Sequence, residues 1–168
     1  VELDALGPAD QLALLLGVLE RDLERLETKA RKRGMIPACR RNATSDLDGS
    51  PTINRFEGIR FYDYTKSASR YASWLLRPSC SPTNQHLTFS YSESVSADEV
   101  AEIMNAGGTV AVPFNLPRGA DLPRSWGCYR VIDGDTHDVR FMDPRSVIVG
   151  LRVKTNRGTS NNPFIVEV

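Results

Sequence analysis

The stretch Ile59-Arg60-Phe61-Tyr62-Asp63-Tyr64-Thr65-Lys66, running straight into Ser67-Ala68-Ser69-Arg70-Tyr71-Ala72-Ser73-Trp74-Leu75-Leu76, decides how this chain is read. Residues 59–64 are short, aromatic and β-prone, which predicts a strand that ends abruptly in polar groups. Residues 67–76 then place Tyr71, Trp74 and Leu75 on one side of a helix, with Pro78 as its stop. A strand feeding directly into a helix is half of a βαβ unit, so the fold depends on whether the pattern repeats.

It repeats on both sides. Residues 35–40, 86–90 and 109–114 are short runs rich in apolar or aromatic side chains, each a predicted strand. Residues 96–105 open with the capping-box pattern Ser96-x-x-Glu99 and end at Gly107-Gly108, which predicts a helix. Upstream, Leu12, Leu15, Leu16, Leu19, Leu23, Leu26 and Ala30 recur at three-and-four spacing, so residues 10–34 form the long amino-terminal helix. Asp10 is its expected N-cap, and Leu12, Leu16, Leu19, Leu23 and Leu26 are expected to pack on one face of the sheet. Lys29, Arg31, Lys32 and Arg33 crowd its carboxyl end, where they complement the helix dipole and read as a solvated end ahead of a nucleic-acid contact.

Downstream, residues 128–132 and 139–141 flank the Asp133-Gly134 corner, which predicts a hairpin, and residues 147–153 and 164–168 supply two more strand-like runs. Residues 156–163, with Gly158 and Asn161-Asn162, are the most loop-like segment. The expected fold class is α/β: a mainly parallel sheet of βα units with a long amino-terminal helix and a carboxyl-terminal β-hairpin region. A single domain is expected over residues 1–168, with the helix in 1–34 and the βα core in 35–168.

Composition narrows the partners. The 168 residues are 40% hydrophobic, enough for one core, and 21 basic side chains balance 21 acidic ones. No overall field draws such a chain to nucleic acid or a membrane, so any polyanion site must be a local patch. Cys39, Cys80 and Cys128 are scattered and make no C-x-x-C pair, which gives neither a disulfide framework nor a zinc or iron-sulfur site. Without a basic leader or a membrane span, the expected location is a reducing cytoplasm.

Polar groups gather where predicted strands end. Arg40 offers a planar fork for carboxylate or phosphate, Lys66 a mobile point charge, and Asn42, Thr44, Ser45, Thr65, Ser90 and Ser92 neutral donors. Together with Asp46 and Asp63 they form a candidate ligand-binding rim, because ligands of open α/β sheets bind outside the carboxyl ends of the strands. Asp46 also reads as a paired charge holding strand ends in register. The Asp133-Gly134-Asp135-Thr136-His137-Asp138 run invites a divalent metal, with Asp133, Asp135 and Asp138 as ligands. Its glycine stands second, which is wrong for an EF-hand loop, and a plain hairpin explains the same residues. No cofactor is predicted, a divalent metal being the one candidate. No G-x-S-x-G, phosphate-binding glycine loop or Rossmann fingerprint occurs, His86 and His137 lie in no nucleophile signature, and Cys39 reads as a core residue. Tyr62, Tyr64, Phe89 and Tyr91 read as core packing ahead of base stacking.

Four ordered motifs carry a family resemblance. They are Arg40, Asn42, Thr44, Ser45 and Asp46; residues 61–66; residues 86–90 with Ser92 and Glu93; and residues 131–135 with Asp138, Arg140, Phe141, Asp143 and Pro144. Over about the whole chain after Leu12 the sequence resembles the gene product 88 type family of phage and mobile elements. The resemblance implies a partial barrel of radical-SAM type, which in longer members follows a cysteine-rich segment. The residues ahead of the helix here contain no cysteine, so iron-sulfur chemistry is not carried over. Ala43 stands where the family motif shows Gly and Arg41 where an apolar residue is typical, which implies a differently shaped first rim loop.

Three functions remain open, and the sequence does not decide whether the chain is an enzyme. The first is a domain binding an anionic small molecule or nucleic-acid phosphate at the rim. The second is a metal-dependent phosphoryl-transfer or nuclease domain using the acids from Asp133 to Asp143. The third is a non-enzymatic protein on a degenerate barrel scaffold, binding a host or phage protein.

Overall fold

A computed structural model describes residues 7–42, 50–77, 83–153 and 165–167. In chain order the elements are α1 (Pro8–Lys32), β1 (Ala38–Arg40), α2 (Ser50–Arg55), β2 (Arg60–Thr65), α3 (Ala68–Leu75), β3 (Gln85–Ser90), α4 (Ala97–Asn105), β4 (Val110–Phe114), β5 (Ser125–Trp126), β6 (Tyr129–Asp133) and β7 (Ile148–Arg152). A single turn of 3-10 helix, Arg140–Met142, precedes β7. Among the described residues the strands form one seven-stranded sheet in the order β1-β2-β3-β4-β7-β6-β5. β3 runs parallel to β4, β4 to β7, and β7 to β6, while β5 pairs antiparallel with β6. The fold is therefore α/β with a mostly parallel sheet, as the alternation of strand and helix predicts.

The chain divides into two compact units. The first contains α1, α2 and the opening residues of β1, β2 and β3, within Val1–Cys39, Asp48–Phe61 and Pro82–Gln85. Its core is Leu23, Ile53, Phe56, Ile59 and Phe61, with Leu19, Leu26 and Cys39 packed around them. Asn84 ties this core together: its buried side-chain amide donates to the carbonyls of Ile53, Phe56 and Ile59 at 3.3, 2.9 and 2.9 Å. Those carbonyls end a short helix and a turn, and an amide is the side chain that satisfies them inside a core. α2 adds to the expected elements, being too short to show a helical period in sequence.

The expected packing of α1 holds for Leu19, Leu23 and Leu26 but not for Leu12 and Leu16, which are exposed. Among the described residues Leu23 is covered by the core of Ile53, Phe56, Ile59 and Phe61, which does not include Leu12 or Leu16. Its start also differs from expectation, since Gly7 is the N-cap and Asp10 lies in the first turn. There its charge still complements the helix dipole.

The second unit holds the larger core: Tyr71, Leu87, Phe89, Val100, Met104, Val110, Val112, Phe114 and Ile148. The Tyr71 hydroxyl donates to the Thr109 carbonyl at 3.2 Å and accepts the Thr109 N–H at 2.9 Å, which fixes α3 against the start of β4. Gly108 makes this approach feasible, because a Cβ there would lie 2.6 Å from that hydroxyl. α4 begins as predicted, with Ser96 and Glu99 exchanging both bonds of a capping box.

The expected hairpin about Asp133-Gly134 is corrected. The hairpin lies earlier, between β5 and β6, and turns at Gly127 with φ +59°. Residues 139–141 form no strand but lead into the 3-10 turn. The physical reason is Arg140, whose side chain is fully buried, so the chain bends inward after Asp138 instead of continuing an exposed ladder. Of the strand-like run 164–168, the described part makes a single bridge, Phe114 to Val166.

Candidate functional site

The site begins with the alternation of β2. Phe61, Asp63 and Thr65 point to the buried side, while Tyr62 and Tyr64 are half-buried on the other. Two polar residues thus occupy buried positions at the carboxyl end of the strand, where a sheet normally places apolar ones. Asp63 is 5% exposed, and both its carboxylate oxygens accept the backbone N–H of Asn42, at 3.1 and 3.3 Å. Burial pushes the Asp63 carboxyl up to about 6, outweighing the bond from Asn42 and the charges of Arg40 and Arg41, all of which favour the ionised form.

Thr65 ends the strand. Its buried hydroxyl accepts the Ser67 N–H at 3.1 Å, and Ser67 in turn caps α3 by accepting the Arg70 N–H at 3.3 Å. Lys66 stands exposed between the two. The first turn of α3 brings in Arg70, whose pKa is lowered by burial and by the neighbouring charge of Arg41. Arg41 is half-buried, and its Nε lies buried with no hydrogen-bond partner among the described residues. Asn42, Asp63, Thr65 and Lys66 therefore gather at the end of β2, where the charges of Arg40 and Arg41 act on the buried Asp63 carboxyl and Arg70 lies within the field of Arg41.

The other expected rim residues go elsewhere. Arg40 lies over the Tyr64 ring at 4.7 Å and donates to Asp138 at 3.1 Å, and Asp138 also accepts the Tyr64 hydroxyl at 3.1 Å. Ser90 closes β3 half-buried, and the buried Ser92 shares a hydrogen bond of 3.0 Å with Ser94. Thr44, Ser45 and Asp46 lie outside the described residues.

The three proposed metal ligands are divided between two arginines. Asp133 receives both terminal nitrogens of Arg152 at 2.9 Å each, and Asp135 receives one of them at 3.0 Å. The hydrogen bonds from Arg152 hold Asp133 below its usual range, whereas Asp138 belongs to Arg40 and Tyr64. Among the described residues no three of His, Cys, Asp and Glu converge as a metal set.

Sequence reasoning missed a buried group in the same segment. Arg140 is fully buried, donates to the Gly134 carbonyl at 3.3 Å, lies 3.2 Å from His137 Nδ1 and is ion-paired with Asp143 at 3.1 Å. Burial raises the Asp143 pKa. Arg140 and Asp143 both stand in the fourth motif, but a hairpin would have turned them toward solvent. His86 was also missed. It packs edge-on to Trp74 and its Nε2 is buried without a partner among the described residues; burial, with the charges of Arg77 and Arg140, lowers it to about 4.

Fold and site define an α/β protein with a mostly parallel sheet and a polar, arginine-flanked end to its second strand. The model of the gene product 88 family matches residues 10–163, and the chain belongs to that family. No curated protein and no solved structure matches it. Among the described residues no helix is long and apolar enough to cross a membrane.

Proposed function

We propose that this chain is a phage or mobile-element domain that binds an anionic ligand, such as a nucleotide or nucleic-acid phosphate, at the end of β2. The observation that carries the reading is Arg41, half-buried just after β1 with its Nε buried and without a hydrogen-bond partner among the described residues, its charge felt by Arg70 of α3. Like charges brought together in a half-buried place are stabilised by an anion between them, and guanidinium forks suit phosphate oxygens. Lys66, exposed beside the start of α3, adds a mobile cation, and the helix amino terminus adds its positive dipole end. Asn42 and Thr65 supply neutral polar groups at the same strand end.

A metal-dependent phosphoryl-transfer reading needs the acids of residues 133–143, and Arg152 engages two of them. The non-enzymatic interaction reading draws support from a different place, the exposed Leu12, Leu15, Leu16 and Val18 of α1.

Calorimetry with nucleotides and oligonucleotides at two salt concentrations tests the anion reading. Binding should weaken as salt rises, and Lys66→Met should lose affinity with no matching loss of stability. If Lys66→Met binds every ligand as the parent does while Asp135→Asn abolishes divalent-ion binding, the acidic segment replaces the rim as the site.

A further inference from the structure

Independently of the end of β2, we propose that the carboxyl-terminal half of α1 is a docking surface for the phosphate backbone of duplex nucleic acid. Arg21, Arg25, Lys29 and Arg33 recur at four-residue steps with Lys32 beside them, which sets cations on one face about 6 Å apart over about 18 Å. All five are exposed, and with Glu24 and Thr28 they line an open trough of about 590 Å³ along the helix. On the opposite face Leu23 and Ala30 are buried, so the core of the first unit holds the helix with its cations outward. Among the described residues Arg25 alone of the five is ion-paired, to Asp22 at 3.2 Å. That pair is exposed and contributes little, so a phosphate can replace it.

The last-turn cations alone do no more than match the helix dipole, an effect confined to that turn. Arg21 and Arg25 lie further back in the helix, where the dipole gives no reason for them, and they extend the basic end into a stripe. The chain carries 21 basic and 21 acidic residues, so the stripe is a local field on a neutral molecule. Its partner must carry regularly spaced negative charge, as a nucleic-acid backbone does. Among the described residues no aromatic side chain lines the trough, so it offers no stacking platform for unpaired bases, which favours a duplex over a single strand. A helix about 10–12 Å across also fits a major groove about 12 Å wide. No large apolar side chain lines the trough among the described residues, whereas a helix lying on a membrane turns an apolar face to the lipid. Glu24 opposes the five cations there, and its charge is the one whose removal should raise affinity.

Fluorescence anisotropy of a labelled DNA duplex of mixed sequence, titrated with the whole chain over a salt series, tests the surface. Four phosphate contacts predict a slope of log affinity against log salt of about −3.6, so a fourfold rise in salt should weaken binding about 150-fold. Arg21→Gln combined with Lys29→Gln should flatten the slope by about 1.8. The melting temperature should stay near the parent's, since both side chains are exposed and Gln is a good helix former. Glu24→Gln should tighten binding about twofold, a gain that misfolding cannot mimic. Arg118→Gln, which removes an exposed cation of the second unit, should leave the slope as it is. Absence of salt-dependent binding, or a parent slope that survives the double substitution, overturns the surface and leaves the anion reading at β2 untouched. Tighter binding to a single strand than to the duplex, or binding to phosphatidylserine vesicles without binding to the duplex, overturns the choice of partner.

Discussion

Asp63 and Asp133 are both carboxylates near the carboxyl ends of strands with arginines close by, yet their surroundings act on them in opposite directions. Asp133 is partly exposed and takes two direct bonds from Arg152, which stabilise its ionised form. Asp63 is buried, and Arg40 and Arg41 act on it only through their fields, so desolvation wins and the neutral form gains. The lesson is that proximity of positive charge does not fix the state of a carboxylate. A guanidinium fork in contact replaces water, whereas one at a distance leaves the lost hydration uncompensated.

That contrast has opposite signs in pH. A carboxyl raised in the folded state favours folding below its unfolded pKa of 3.8 and loses that contribution as pH rises through about 6. A lowered one, such as Asp133, contributes above 3.8 and loses its contribution as pH falls through its folded value. His86 complicates the same window. Lowered from 6.5 to about 4, it must become charged on acidification, so its contribution is present above pH 6.5 and lost as pH falls toward 4.

The largest expected effect belongs to that histidine and serves as the control. His86→Gln should remove about 3 kcal/mol of acid destabilisation between pH 7 and pH 4, measured by urea unfolding of variant and parent at each pH. If the parent's acid limb is unchanged in the variant, the half-buried neutral imidazole is not its cause. Asp63→Asn comes next. It should stabilise the protein by about 2 kcal/mol at pH 7.5, with the gain vanishing near pH 4, because the amide escapes the cost of burying a charge. A loss of stability at pH 7.5 would mean that the ionised Asp63 is paired better than its burial indicates.

Arg152→Met attacks the other half of the comparison. Removing the guanidinium strands Asp133 and Asp135 beside each other and should cost about 2 kcal/mol at pH 7, a cost that fades only below pH 3.8, as pH falls through the lowered folded value of Asp133. Equal cost at both pH values would show that Arg152 acts through its packing and its bond to the Ala120 carbonyl. The smallest effect is expected for Asp138→Asn. Arg40 and Asp138 are both partly exposed, so losing the pair should cost under about 1 kcal/mol and fade at high salt, as thermal unfolding at two ionic strengths would show.

The division between legible and hidden follows the range of the forces. The β2-to-α3 passage was readable because aromatic alternation, the Tyr71 and Trp74 face and the Pro78 stop are all set within about twenty residues. The capping box of α4 was readable for the same reason. Of the candidate site, Asn42, Asp63, Thr65 and Lys66 were found by their position after strand-like runs. Arg41 and Arg70 were not, because one looked like a departure from a family motif and the other like an ordinary surface residue of a helix. The segment after β6 misled most, since an Asp-Gly corner between β-prone runs looks like a hairpin until Arg140 is known to be buried.

By itself the sequence determined the alternation of strand and helix, the long leucine-rich helix, the family and the polar strand ends, because periodicity, capping and turn chemistry act over one or two turns of chain. The tertiary structure alone decided where the charges go. It sent Arg40 to Asp138, 98 residues away, gave Asp133 and Asp135 to Arg152, and inserted β7 between β4 and β6. It also left Asp63 buried beside arginines that do not touch it. Which charge meets which depends on strand order and on the water excluded around each group, and neither quantity has a local signature in the chain.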